Sequence, residues 1–428
     1  MQQLRSPLSL MTAVLLLTLS TAQCQSKWPS PVVEITRNDT VGHDFIRQSR
    51  NVIERPEALA PFYAKLLKQR TEGGQKINIV HIGDSHILGN FLTKEVRQRM
   101  QESFGNAGRG LIFPYKLIRS NGPQDYLVST ATRWNGANCV RDLDEETDYG
   151  ISGFSAVSEH PNGSITFRLR DTTSETSSKF TKVTVFVRND AKSPKIELID
   201  EVSRQKATLI MEDEYAQSWY FDRPVGECTI QAKGQKGKSK LWLDGISIDN
   251  ERSGVIYHSI GVNGAKFSDF ARSKYFARQL REVTPDLVIL SFGTNEAQST
   301  HHPGQLTRQM DELVQQILAQ WPHASILLTT PADSYLKGKG PNPYLPEVAE
   351  TIRQYAEKKQ FALWDLLSAT GGPNSAEEWK SRGLMSGDSV HYSKTGYAVQ
   401  GKLLYQSLIK GYNETAAKQG AVNPVEGK

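Results

Sequence analysis

The sequence predicts an α/β fold: a three-layer α/β/α, flavodoxin-like domain around a parallel sheet, with an all-β sandwich module inserted into it. Strand-like apolar runs alternate with helical patterns in two separated blocks of the chain. Near-continuous Val, Ile and Leu strands that alternate with helices are typical of a buried parallel sheet. Between the blocks, turn residues separate short runs in which polar and apolar residues alternate. That spacing is typical of a β-sandwich.

The first block contains an amphipathic segment, one strand and one helix, and the second block repeats the strand–helix alternation. In the first block these elements are predicted at 56–69, 77–82 and 88–104. In the second block, strands are predicted at 254–260, 286–292, 324–330 and 361–366, and helices at 267–281, 304–320, 345–359 and 394–412. In the insert, the clearest strand-like runs are 164–169, 182–187, 195–199 and 240–248.

These patterns predict the boundaries of the domains. The α/β domain comprises residues 45–119 and 251–413, the inserted module comprises 120–250, and 414–428 form a polar, flexible tail. Such an insertion is tolerated when the two ends of the insert lie close together. Cys139 and Cys228 both fall in the insert, and either a disulfide between them or two separate buried thiols would fit the sequence.

Composition and charge exclude several classes of protein. Of the 428 residues, 38% are apolar and 23% are charged, which is ordinary for a globular protein. The formal net charge is only +5, and the lysines cluster only within 233–238, a run more typical of a hairpin tip than of a nucleic-acid patch. We therefore expect no nucleic-acid partner. No segment after the N-terminus has the roughly 18 apolar residues of a transmembrane helix.

The N-terminus predicts a secretory signal peptide at residues 1–24. Arg5 supplies the positive charge, Leu8–Leu19 form an apolar stretch, and Ala22-Gln23-Cys24 provide a cleavage region that contains small residues. The protein is therefore expected to be exported. A lipid anchor on Cys24 is the alternative, although Gln23 is a poor fit to the small residue that usually precedes a lipidated cysteine.

Two distant segments predict a catalytic triad. The segment Ile82-Gly83-Asp84-Ser85-His86 comes at the end of a strand-type run and contains Ser85. The segment Asp388-Ser389-Val390-His391 precedes the last predicted helix. A serine at the point where a strand turns into a helix exposes its hydroxyl. His391 can take the proton of that hydroxyl, and Asp388, three residues earlier, can orient the imidazole. We therefore predict a serine hydrolase with Ser85, Asp388 and His391 as its catalytic residues.

Two further segments supply candidate donors for an oxyanion hole. Gly261–Ala265 and Gly293–Glu296 each follow a predicted strand, at the edge where open α/β sheets place their sites. The predicted donors are the backbone N–H groups of Ser85 and Gly264 and the side-chain amide of Asn295. The alternatives are a simple turn glycine at Gly264 and a helix cap at Asn295. Glu296 is interpreted as a loop brace.

The order of these four segments resembles that of the SGNH (GDSL-type) hydrolase superfamily, which is named after its Ser, Gly, Asn and His. The amino-acid sequences of these segments, and of residues 105–110, are similar to those of the peptidoglycan O-acetylesterases of Gram-negative envelopes. The resemblance covers most of residues 50–412. It implies an inserted, carbohydrate-binding-like β-sandwich, an acetylated glycan such as peptidoglycan as the substrate, and a location in the periplasm or cell envelope.

No cofactor and no metal are predicted, because His301-His302 and the pair His81 and His86 lack partners at metal-ligand spacing. Two other functions fit the sequence. One is a carbohydrate esterase for other acetylated polysaccharides. The other is a glycan-binding protein with an incidental esterase domain. Polar residues expected near the site favour a hydrated sugar over a lipid tail; they are Asn263, Thr294, Glu296, Gln298 and Ser299.

Overall fold

The computed structural model describes residues 30–36, 42–141, 148–170, 178–190, 192–235, 239–300 and 302–422. The predicted signal peptide with Cys24, residues 236–238 of the lysine-rich run and residues 423–428 lie outside the described residues. Within them, no helix has both the length and the apolar character needed to cross a membrane.

The elements follow the predicted order. The first α/β segment contains β1 (Ile53–Glu54), α1 (Ala60–Thr71), β2 (Lys76–Gly83), α2 (Ser85–Leu88), α3 (Phe91–Phe104) and β3 (Asn106–Gly108). Then come β4 (Gly110–Ile112), β5 (Tyr126–Ser129), β6 (Asn135–Asn138), β7 (Phe154–Ser158), β8 (Ser164–Leu169), β9 (Phe180–Val187), β10 (Lys195–Asp200), β11 (Thr208–Glu212), β12 (Ala216–Val225), β13 (Glu227–Lys233) and β14 (Leu241–Asp249).

The second α/β segment closes the fold. It contains β15 (Gly254–Gly261), α4 (Phe267–Ala271), α5 (Phe276–Arg281), β16 (Leu287–Ser291), α6 (Pro303–Gln320), β17 (Ser325–Thr329), β18 (Tyr335–Leu336), β19 (Gly340–Pro341), α7 (Leu345–Lys359), β20 (Ala362–Trp364), α8 (Leu366–Ala369), α9 (Ala376–Ser381) and α10 (Lys394–Val422).

The central sheet has seven strands in the order β1-β20-β17-β16-β2-β15-β3. Its five main strands, from β15 to β20, give the chain order 2-1-3-4-5, which is that of flavodoxin-like folds. The sequence predicted a parallel sheet. The structure departs from this at one edge, where the two-residue strand β1 pairs antiparallel with β20. A strand this short carries no readable periodicity, and it occupies an edge, where doubly wound sheets tolerate an antiparallel strand.

The two faces of the sheet are covered by different helices. Ile77 and Ile79 of β2 join a buried cluster with α1, α3 and α10. Val80 and Ile82 of the same strand point to the other face and join a cluster with α5, α6 and α7. Side chains alternate between the faces of a strand, so burial on both sides explains why β2 has apolar residues at both odd and even positions. The result is the predicted three-layer α/β/α arrangement.

Strands β4–β14 form two antiparallel sheets. One has the order β10-β13-β8-β5, and the other has the order β11-β12-β9-β14-β7-β6, with β4 also paired to β14. The sheets contact each other where Phe167 of β8 stacks on Phe180 of β9, with ring centroids 5.6 Å apart. Cys139 and Cys228 are two separate buried thiols, which is the second of the two alternatives left open by the sequence.

A buried ionic cluster attaches these strands to the α/β domain. The Asp125 carboxylate, just before β5, accepts hydrogen bonds from Arg97 of α3 at 2.8 Å and from Arg109 at 3.0 and 3.1 Å. Asn90, at the start of α3, donates to the same carboxylate at 3.0 Å. Although burial alone would raise the pKa of Asp125, the two guanidinium groups hold it well below its usual range. Because these opposite charges are paired and hydrogen-bonded to each other, none of them is buried without a partner.

Three predicted helical segments differ from the structure. The segment at 88–104 is divided, because Asn90 has a φ of 60° and separates α2 from α3. The segment at 267–281 is also divided, because the Ser273 hydroxyl accepts the N–H groups of Tyr275 and Phe276 and begins α5 anew. The last predicted helix is longer than expected, because α10 continues through residues 414–422, which the sequence assigned to the tail.

Contacts with the N-terminal segment explain the longer last helix. The Asn413 side chain exchanges two hydrogen bonds with the backbone of Val33, at 3.0 and 2.8 Å. Ala416, one turn further on, is buried. The sequence suggested a tail because these residues are mostly polar, but the contact with residues 30–36 is a tertiary interaction that polarity does not predict.

Candidate active site

Three strand ends lie level at one edge of the central sheet. Gly83, the last residue of β2, is paired with Gly261 of β15 on one side and with Ser291 of β16 on the other. The loops that carry Ser85, Gly264 and Asn295 leave the sheet from these three ends. The register of the parallel strands therefore brings together residues that are distant in the sequence.

Two of these strand ends require glycine because the backbone approaches other atoms closely. A Cβ on Gly83 would lie 2.5 Å from the carbonyl oxygen of Ser291. A Cβ on Gly261 would lie 2.2 Å from the backbone nitrogen of Leu88 in α2. Both distances are far shorter than van der Waals contact. The two glycines let α2, which begins at Ser85, sit directly on the end of the sheet.

Ser85, His391 and Asp388 form a continuous hydrogen-bonded chain. The Ser85 hydroxyl lies 2.8 Å from Nε2 of His391. Nδ1 of the same ring lies 2.6 Å from Oδ2 of Asp388. These lengths fit hydrogen bonds in which the hydroxyl donates to Nε2 and Nδ1–H donates to the carboxylate. The arrangement can remove a proton from the hydroxyl and place it on the imidazole.

The loop that carries His391 is organised around the Asp388 carboxylate. Oδ1 of Asp388 accepts the N–H groups of Val390 and His391 at 3.0 Å each, and the Ser386 hydroxyl at 2.6 Å. Partial burial would raise the pKa of Asp388, but these hydrogen bonds and the one from the His391 ring hold it below its usual range. The carboxylate therefore stays ionised while it holds the imidazole.

Gly264 and Asn295 lie at the same edge of the sheet but differ in whether their N–H donors are free to bind a ligand. The N–H groups of Ser85 and Gly264 have no backbone or side-chain acceptor among the described residues. The Asn295 amide nitrogen already donates to the Ala265 carbonyl at 3.0 Å and to Oδ2 of Asp84 at 3.3 Å. The two backbone groups are free to bind a ligand, whereas the Asn295 amide would have to exchange one of its acceptors.

Glu296 braces two loops, as the sequence suggested. Its two carboxyl oxygens accept the N–H groups of Phe267 at 3.0 Å and of Gly293 at 2.9 Å. The expectation that Thr294 and Glu296 border the approach to the site is wrong, because both are buried. From Phe292 to Ala297 only Asn295 is partly exposed, and the sequence pattern alone does not reveal this burial.

Two histidines near Ser85 are neutral, of which His81 is buried and His86 is partly buried. His81 lies between the Tyr257 hydroxyl at 2.7 Å and the Ser291 hydroxyl at 2.6 Å, and burial lowers its pKa to about 3. His86 contacts the Tyr397 hydroxyl at 2.9 Å, and its ring centroid is 5.2 Å from that of His391. Burial, with a further contribution from His391, lowers the pKa of His86 to about 3.

The described residues contain no cluster of three histidine, cysteine or acidic side chains that could hold a metal ion.

Sequence reasoning missed two contacts that shape the site. One is the contact of Tyr397 with His86, and the other is the role of Asp84 as an acceptor for Asn295. Tyr397 is one of several aromatic residues in the C-terminal part of the chain, and no sequence signal distinguishes it.

Asp84 makes the stability of the protein depend on pH. Burial raises the pKa of Asp84 to about 8, and the negative charge of Glu296 acts in the same direction. A carboxyl whose pKa is raised on folding stabilises the protein fully below the pKa of the unfolded chain. That contribution is lost as the pH rises towards 8, at up to about 1.4 kcal/mol per pH unit.

We predict that Asp84→Asn abolishes this part of the pH dependence. The free energy of unfolding of the wild type, measured by urea denaturation from pH 5 to 8, should fall relative to that of the variant as the pH rises. A constant difference between the two proteins over this range would show that Asp84 is ionised in the folded state.

Comparisons with known proteins agree with this geometry. Residues 237–399 match the GDSL-like lipase/acylhydrolase family. Among solved structures, a peptidoglycan O-acetylesterase matches with a TM-score of 0.70 and 23% sequence identity, covering 87% of this chain and 99% of that one. No curated protein matches the sequence.

Two other solved structures match more weakly. A family two carbohydrate esterase from Cellvibrio japonicus has a TM-score of 0.28 and 10% identity, covering 67% of this chain and 98% of that one. A lipase/acylhydrolase from Enterococcus faecalis has a TM-score of 0.29 and 18% identity, covering 37% and 77%. These TM-scores are too low to support an inference. Residues 237–399 therefore resemble a GDSL-like acylhydrolase domain, and the chain as a whole shares its fold with a peptidoglycan O-acetylesterase.

Proposed function

We propose that the protein is an exported serine O-acetylesterase that removes acetyl groups from an envelope glycan, most directly the O-acetylated muramic acid of peptidoglycan. The observation that carries this proposal is the hydrogen-bonded chain from Ser85 through His391 to Asp388. It is supported by the fold shared with a peptidoglycan O-acetylesterase over 87% of this chain.

Ser85 is the nucleophile and His391 the general base. The Ser85 oxygen attacks the ester carbonyl carbon while Nε2 of His391 takes the hydroxyl proton. The proton then passes to the oxygen of the departing sugar hydroxyl as the ester bond breaks, which leaves an acetyl group on Ser85. His391 next takes a proton from water, the hydroxide adds to the acetyl carbon, and acetate leaves as Ser85 regains its proton. Asp388 holds the imidazole and stabilises its charged form.

The negative charge that develops on the carbonyl oxygen is stabilised by an oxyanion hole. The backbone N–H groups of Ser85 and Gly264 are its two preformed donors. Asn295 becomes the third donor when its amide exchanges the 3.3 Å bond to Asp84 for the carbonyl oxygen. Such bonds often tighten only when the substrate is bound. The loss of one donor typically costs about 3–4 kcal/mol of transition-state stabilisation.

The remaining parts of the chain have roles in delivery and binding. Residues 1–24 direct export, and the mature protein acts in the periplasm or cell envelope, with a lipid anchor on Cys24 as the alternative to a freely diffusing form. Residues 120–250 form the inserted, carbohydrate-binding-like sandwich between the two segments of the catalytic domain, 45–119 and 251–413. The two contacting antiparallel sheets between β3 and β15 support this division, although β4 (Gly110–Ile112) extends the second sheet into the first segment of the catalytic domain.

We predict that Ser85→Ala and His391→Ala each lower kcat for p-nitrophenyl acetate at least about 10⁴-fold with an unchanged melting temperature. Asp388→Asn should be less severe, roughly 10²–10⁴-fold, because its role is orientation. The double variant of Ser85 and His391 should be no slower than either single variant, since the two residues act as one unit. If clean Ser85→Ala kept a tenth of the activity, another residue would be the nucleophile.

We predict that acetyl esters are the preferred substrates. With p-nitrophenyl acetate, butyrate and octanoate, kcat/KM should fall as the acyl chain grows. A lipase-like site behaves in the opposite way, because each methylene buried in an apolar channel adds about 0.8 kcal/mol. A rising series would instead identify a lipid esterase.

We predict that acetate is released faster from O-acetylated peptidoglycan than from acetylated xylan at equal ester concentration. Base-treated peptidoglycan, which has lost its O-acetyl groups, and Ser85→Ala are the controls for acetate from other sources. Faster release from xylan would favour an esterase for other polysaccharides. Tight binding to peptidoglycan without release would favour a glycan-binding protein.

A further inference from the structure

The space that a side chain would occupy at Gly264 is almost open. The residue has a φ of 80°, in the left-handed region. Apart from chain neighbours, a Cβ placed on it would have one described heavy atom within 4 Å, Cγ1 of Val140, at 3.8 Å. Gly264 carries the N–H group assigned above to the oxyanion hole. Apart from chain neighbours, Val140 is therefore the described side chain nearest to that space.

Val140 belongs to a different part of the chain and is unusually exposed for its type. It follows β6, in the antiparallel region, and 41% of its surface is accessible. A single exposed valine needs no explanation in itself. An apolar side chain close to the residue that carries a proposed oxyanion donor does have a consequence, because an ester bound at that donor would come near it.

The backbone around Val140 is fixed by hydrogen bonds. The Val140 N–H donates to Oδ1 of Asn138 at 3.1 Å. The neighbouring Cys139 donates its N–H to the Gly153 carbonyl at 2.9 Å and accepts a hydrogen bond from the Arg272 guanidinium at 2.6 Å. The segment is thus held from both sides.

Arg272 also links this segment to the loop of Gly264. Its guanidinium binds Oδ1 of Asp269 at 2.9 Å, and Oδ2 of Asp269 accepts the Lys266 N–H at 2.9 Å. Lys266 is two residues after Gly264. The position of Val140 relative to the proposed oxyanion hole is therefore set by a continuous chain of hydrogen bonds through Arg272.

We propose that Val140 forms one wall of the acyl site and restricts it to short acyl groups. This inference rests on the proposed function. With the carbonyl oxygen at the Gly264 N–H, the carbonyl carbon carries an apolar acyl chain on one side and a hydroxylated sugar on the other. The isopropyl group of Val140 matches the acyl methyl group, and the space it fills is denied to a longer chain.

Two substitutions at Val140 change that space in opposite directions. Val140→Ala opens the wall, and Val140→Leu fills it further. Val202→Ala is the matched control, because Val202 is an exposed valine of the same antiparallel region, with 85% of its surface accessible. The probes are p-nitrophenyl acetate, propionate and butyrate, which share one leaving group and differ only in the acyl chain.

The expected result is a change in the ratio of kcat/KM for butyrate to that for acetate. Val140→Ala should raise this ratio at least about fivefold, Val140→Leu should lower it, and Val202→Ala should leave it as in the wild type. An unchanged ratio in both Val140 variants, with wild-type melting temperatures, would overturn the inference and leave the proposed function standing. Hydrolysis by Ser85→Ala would overturn the proposed function itself.

Discussion

The site depends on the register of three parallel strands. β15 is paired with β2 along its whole length, from Gly254 opposite Lys76 to Gly261 opposite Gly83. The third strand, β16, ends level with both at Ser291. Three loops therefore start from one line, and short loops are enough to bring their residues together. A shift in the register of any strand would move its loop by about 3.3 Å per residue.

Environment divides the carboxyl groups near this edge into two kinds. Asp84 and Glu296 are buried, their pKa values are raised, and their oxygens accept hydrogen bonds that hold loops in place. Asp388 lies on an exposed loop, and hydrogen bonds hold its pKa below the usual range. Of the three, Asp388 is the carboxylate that stays charged beside an imidazole. That difference fits it to the orienting role proposed for it.

The sequence predicted what strong local patterns encode. The five main strands of the central sheet were located to within one or two residues because they are rich in Val, Ile and Leu, whereas the short edge strands β1 and β3 were not predicted. The structure joins Ser85, His391 and Asp388 as their motifs suggested. The breaks at Asn90 and Ser273 and the extension of α10 depend on neighbours that are distant in the sequence or on local side-chain contacts. Periodicity and motif spacing carry no information about such neighbours.

The most direct test of the account is detection of the acyl-enzyme. The wild type would be mixed with excess p-nitrophenyl acetate, quenched in acid within milliseconds and digested for mass spectrometry. If Ser85 is the nucleophile and His391 its base, the peptide containing Ser85 gains one acetyl group during turnover. The same peptide from His391→Ala does not gain it on this timescale. Acetylation at another residue with kinetics matching turnover, or fast turnover with Ser85 never modified, would contradict it.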